Sequence, residues 1–162
     1  MATSKQYRAL ETAVTFCDSG GDAVLTLNNL AAGAARVSAQ VDRGAGSKPA
    51  DYKWRAVIQL NAAGTVGERV RIGIVESDGT LIDGNAGASD AVFVVAQSPN
   101  VKVIGIVTVP DTNAAENFIA SGECTILDRY YSVVVINDTA EALKASANVS
   151  KVILTPMPPE MQ

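Results

Sequence analysis

The chain has 162 residues, 48% hydrophobic and 19% charged, which suits one globular domain with its own core and excludes a disordered chain. It contains no histidine, which removes Ser-His-Asp and Cys-His catalysis, histidine-ligated metals and imidazole acid–base chemistry. The net charge of −4 speaks against a nucleic-acid binder, whose footprint is a basic face.

Residues 1–11 are polar and carry Lys5, Arg8 and Glu11; they read as an N-terminal arm. Met1–Gln6 has no apolar stretch of signal-peptide type and no apolar run approaches the ~20 residues that span a bilayer, so the expectation is synthesis in a cytoplasm without a membrane partner. Period-two alternation then dominates. Ala35, Val37, Ala39 and Val41 alternate with Arg36, Ser38, Gln40 and Asp42, as in a half-buried strand. Tyr52, Trp54, Ala56, Ile58 and Leu60 form a second such face, and Val70, Ile72 and Ile74 a third. More apolar runs lie at 91–96, 101–109, 130–137 and 149–154, with shorter candidates at 12–17, 23–30 and 121–127.

Turn signals punctuate these runs, among them Asp18-Ser19-Gly20-Gly21-Asp22, Arg43-Gly44-Ala45-Gly46-Ser47-Lys48-Pro49, Asp78-Gly79 and Asp83-Gly84-Asn85. Helix is scarce: 113–120 is read as one or two turns, and 139–147 as a short helix or an ordered loop. Nine or ten short, regularly punctuated strands predict an all-β fold, an antiparallel β-sandwich of jelly-roll type with extended terminal arms. The expected division is an arm over 1–11, one sandwich domain over 12–155 and a Pro-rich arm over 156–162. Prolines in Pro156-Met157-Pro158-Pro159-Glu160-Met161 bar that last segment from a central strand.

No constellation singles out catalysis. Asp78, Asp83 and Asp90 with Asn85 could offer oxygen ligands to calcium, but turn-forming aspartates explain them as well; Asp18 and Asp22 read the same way. The glycine-rich segment 43–49 lacks the Gly-Lys-Ser/Thr end of a phosphate loop, and it reads as a basic interaction loop with Arg43 and Lys48. Cys17 and Cys124 are expected to be buried free thiols. Trp54 reads as core, with a sugar-stacking platform as the competing role, and Tyr130 and Tyr131 as interface candidates. The sequons at Asn137 and Asn148 read as accidental. The expectation is a non-enzyme without cofactor or metal. Charge is uneven: residues 1–75 hold 9 basic and 6 acidic groups (net +3), residues 76–162 hold 4 and 11 (net −7).

Phe16-Cys17-Asp18-Ser19-Gly20-Gly21-Asp22, Val41-Asp42-Arg43-Gly44-Ala45-Gly46, Ser77-Asp78-Gly79-Thr80 with Asp83-Gly84-Asn85, the run from Arg129 to Asn137, and the terminal segment from Leu154 to Gln162 together resemble tailed-bacteriophage virion structural proteins. The resemblance implies a jelly-roll-like decoration or cement protein on the outer surface of the capsid, with no catalytic residue. The implied partners are the major capsid protein and further copies of the chain, a trimer being favoured, and not nucleic acid. Lys5, Arg8, Arg43, Lys48, Pro156, Met157, Pro158, Pro159 and Met161 are the expected interface residues. A tail-associated role, or a receptor- or carbohydrate-binding β-sandwich, is the alternative.

Overall fold

The computed structural model describes residues 6–8, 10–46, 48–79, 89–97, 100–110 and 116–161. Thirteen strands are present among them: β1 (Gln6–Arg8), β2 (Val14–Cys17), β3 (Ala23–Val24), β4 (Ala35–Val37), β5 (Val41–Asp42), β6 (Asp51–Ile58), β7 (Arg69–Ser77), β8 (Ala91–Phe93), β9 (Lys102–Thr108), β10 (Phe118–Thr125), β11 (Tyr130–Asn137), β12 (Lys151–Pro156) and β13 (Pro159–Met161). The only helical element among the described residues is one 3-10 turn, Val95–Gln97.

The first sheet runs β10-β6-β12-β2-β3 and the second β8-β4-β11-β7-β9, with β5 also paired to β11. Every pair is antiparallel except β2 with β3. Counting only the eight principal strands in chain order, the first sheet takes the first, eighth, third and sixth, and the second takes the second, seventh, fourth and fifth. This interleaving of two Greek keys is a jelly roll.

Period-two patterning explains the packing. Tyr52, Trp54, Ala56 and Ile58 of β6 face Val70, Ile72 and Ile74 of β7 and Tyr131, Val133 and Val135 of β11 across one aliphatic core. Strand β11 is apolar on both faces because both are covered. Val134 and Ile136 join Ala35, Val37, Val75 and Phe93 in a second, smaller cluster on the outer side of the second sheet. Strands β8 and β9 form opposite edges of that sheet, so the connection between them must cross its outer face. Val101, at the end of that crossing, packs on the cluster directly over Gly73, where a Cβ would lie 2.6 Å from its methyl.

Several expectations are corrected. Residues 118–120 are strand, not helix, because β10 pairs along its whole length with β6; residues 113–115 lie outside the described residues. Of the two readings of 139–147 the ordered loop holds, with bends and an isolated bridge, Leu60 with Leu143. The 35–42 run is interrupted: Ser38 keeps its amide bond to the Val133 carbonyl at 2.8 Å but its Oγ replaces its carbonyl as acceptor of the Val133 amide at 3.0 Å, and Ala39 donates across to the Val24 carbonyl at 2.8 Å. Of the 23–30 run only Ala23 and Val24 are strand, yet Leu25 and Leu27 are fully buried. Proline does not end the sheet before 156: Pro156 closes β12 opposite Tyr52, beyond the reach of the β2 pairing.

Candidate functional site

One end of the sandwich gathers segments far apart in the chain. Arg43 is its centre. The guanidinium donates through Nη1 to the carbonyls of Ile126 and Asp128, both at 2.8 Å, and through Nη2 to that of Pro49. Its plane also lies 5.6 Å from the centre of the Tyr52 ring. Three charge-assisted bonds to main-chain carbonyls tie the 43–50 loop to the 126–129 turn. Arg43 is thus largely a structural residue, where the sequence suggested a side chain held out to a partner. Among the described residues no carboxylate pairs with it, and its Nε is buried without a bond.

Asp42 and Arg129 form the rim. Arg129 donates to both Asp42 oxygens, at 2.8 and 2.7 Å, and Gly44 N donates to Asp42 Oδ1 at 2.7 Å. The Arg129 guanidinium and the Gly44 amide hold the Asp42 carboxyl down at about 2. Gly44 and Gly46 have φ of +83° and +88°, so this turn depends on glycine. Arg129 also stacks over Tyr130, 4.9 Å from the ring centre.

The C-terminal segment closes the same end. Met157 is buried and donates its amide to the Asp51 carbonyl at 2.9 Å, while Glu11 N donates to Pro156 O at 3.1 Å. The outermost strands, β1 and β13, then pair with each other: Gln6 with Met161, Tyr7 with Glu160, Arg8 with Pro159. The structure therefore brings together Arg43, Lys48, Pro156, Met157 and Pro158; it places Arg8, Pro159 and Met161 in the terminal ribbon, and Lys5 lies outside the described residues.

Three adjoining hollows share Lys48 on their walls. One of about 200 Å³ lies over Tyr52 and Tyr131, between Val14 and Pro156. A second, of about 180 Å³, is bounded by Arg43, Gly44, Gly46, Leu127 and Arg129. The third, about 450 Å³, runs between Pro49 and Ala50 on one side and Met157 and Pro158 on the other, with Glu11 and Asp51 also on its walls. Beneath them Phe16 and Tyr52 tilt against Tyr131, ring centres 6.1 and 6.0 Å away, and burial pushes the Tyr131 phenol upward. Tyr131 is floor, buried, and Tyr130 is the half-buried surface partner of Arg129.

The remaining candidates are structural. Asp18 accepts from the amides of Asn28 and Asn148, and Asp22 from that of Thr15. Asp90 is held by Arg36 and Thr26; burial pushes its carboxyl up, but those bonds outweigh it and leave it below its ordinary value. Asp83 and Asn85 lie outside the described residues. No group of three potential metal ligands occurs among the described residues. Trp54 is buried in a slot made by Gly105 and Gly122, so its ring offers no platform to a sugar. Cys17 and Cys124 are both free. Their strands are separated by β12 and β6, roughly 14 Å at ~4.8 Å per strand, too far for a disulfide. Burial pushes the Cys124 thiol up to about 11, which keeps it protonated and unreactive. Asn137 is fully buried, which closes that sequon to modification.

No family model matches the chain, and no curated protein matches it. Among solved structures the chain is similar to the CBM22-1–GH10 modules of the Clostridium thermocellum endo-1,4-β-D-xylanase 10B, complexed with xylohexaose. The TM-score is 0.38 and the identity 12%, over 93% of this chain and 26% of that one. The chain spans about a quarter of that protein, and likeness at this level carries no argument about a ligand.

Proposed function

We propose that this chain is a non-enzymatic virion structural protein, a decoration or cement protein that binds the outer surface of an assembled phage head and bridges adjacent major capsid subunits. The observation that supports this reading most is the convergence at one end of the jelly roll: the basic 43–50 loop, the 126–129 turn and the Pro156–Pro158 segment form one grooved surface, with the terminal ribbon beyond it. A rigid sandwich presenting its loops and its terminal segments at one end is suited to clamping a repeating surface. Its mechanism would be mass action. A protein that binds only the assembled lattice stabilises that lattice in proportion to its occupancy, and many copies on one particle add their effects.

Cryo-electron microscopy of the native particle, with the chain located in the map, tests this. Many copies on the outer shell at local two-fold or three-fold positions, grooved end inward, is the expected result. Density confined to the tail, or no association with the particle, overturns it.

A further inference from the structure

We propose that the hollow between Lys48, Arg43 and Arg129 is an anion pocket that receives a carboxylate from an acidic segment of a partner protein; the inference rests on the reading of this end as the docking end. Three of the six residues around this hollow of about 180 Å³ are cationic, and the others are Gly44, Gly46 and Leu127. Among the described residues Arg129 alone is bonded to a carboxylate, Asp42, which also accepts the Gly44 amide and feels the charge of Lys48. Arg43 is bonded to carbonyl oxygens and lies against Tyr52, neutral groups that leave its formal charge in place. Lys48 makes no hydrogen bond or ion pair among the described residues.

Among the described residues, the acids nearby other than Asp42 do not line this hollow, Asp128 of the same turn included. Glu76 accepts from the amides of Leu127 and Asp128 on the far side of the turn. Glu11 and Asp51 line the neighbouring groove, not this hollow. Three cations thus face one carboxylate, Asp42, which Arg129 bonds and Lys48 also attracts; the remaining positive charge, with Arg43 fixed by three bonds, favours one further oxyanion. The end of the Lys48 side chain lies over Gly44, while the space above Gly46 is open and lets an anion approach the backbone there.

A free phosphate would fill such a hollow equally well. What favours a protein carboxylate is continuity. Lys48 stands on the shared wall of the hollow and of the groove lined by Pro49, Ala50, Met157 and Pro158, so a group bound beside it has a partly apolar track for the chain that bears it.

The test is titration of the isotopically labelled, full-length protein with an N-acetylated, C-amidated tetraglutamate peptide, and separately with inorganic phosphate. The expected result is peptide-induced shifts of the Gly44 and Gly46 amides that weaken as salt rises. Lys48→Gln should weaken the affinity at least about fivefold and Lys48→Glu should abolish it. Lys151→Gln, an equal charge change at the other end of β12, should leave it unchanged. No peptide-induced shift, an equal effect of Lys151→Gln, or binding of phosphate without the peptide overturns the proposal. Co-sedimentation of the same variants with heads separates the two readings. Wild type and Lys48→Glu binding heads equally overturns the pocket and spares the docking function; wild type failing to bind heads overturns the function whatever the peptide does.

Discussion

Asp42 carries two bonds from Arg129 and one from the Gly44 amide, and these fix both its geometry and its acidity. Its folded value of about 2 lies below the ordinary 3.8. The pair's contribution to stability is therefore fully present above pH ~4 and is lost as pH falls through about 2. Carboxyl-detected NMR at low salt should find the Asp42 midpoint near 2, rising in Arg129→Gln but staying below the ordinary value, because the Gly44 amide and Lys48 still favour the carboxylate. Asn137 is the interior counterpart. Its Nδ2 lies within 3.1 Å of the carbonyls of Leu30, Ala31 and Glu141, and its Oδ1 accepts from the amide and hydroxyl of Thr139. Asn137→Ala removes one bond from each of these three carbonyls, which keep the Leu143 amide, the Ala34 amide and the Thr139 hydroxyl as donors, so a loss of about 1–3 kcal/mol is expected, seen as a melting point lower by roughly 2–12 °C. Neither role is written in the sequence. Asn137 reads there as a sequon and Arg43 as a solvent-facing cation, because the partners that define them are brought together only by the fold.

At the scale of elements, legibility follows covering. Strand β11 is predicted to the residue, Tyr130–Asn137, because an unbroken apolar run buried on both sides has a sharp start and stop. The inward faces of β6 and β7 are equally plain from their alternation. The second cluster under the β8–β9 crossing is not, since nothing local reveals that a coil segment will roof a sheet. β10 is masked by the Ala-rich stretch before it, whose helix propensity yields to eight residues of pairing with β6. That strand also shows why glycine sits where it does. Trp54 reaches from β6 across Gly122 of β10 to Gly105 of β9, and a Cβ at Gly105 would lie 2.0 Å from the indole. The edges of the two sheets thereby close on one side chain, and Lys102 of β9 donates to the Thr125 carbonyl of β10 at 2.6 Å, blocking part of an otherwise open edge. Gly105→Ala should cost about 1–3 kcal/mol by overpacking, lowering the melting point by roughly 2–12 °C and changing the Trp54 fluorescence of the native state.

For the whole molecule, the pairing of β1 with β13 sets Gln6 directly opposite Met161. Seen as a curve in space, the described chain from Gln6 to Met161 starts and finishes at paired positions. Joining its two ends with a few glycines should require no rearrangement of either sheet. Such a ring has fewer denatured conformations to lose, an effect of up to about 4–5 kcal/mol for a loop of this length. The cyclised protein should melt above the linear one, and a fall in its melting point would mean that the ribbon does not hold the ends together. The same geometry governs attachment. A segment joined at Gln6 and one joined at Met161 start from the same ribbon, so bulky fusions at the two places should have the same effect, and the far end of the sandwich is the place to carry cargo.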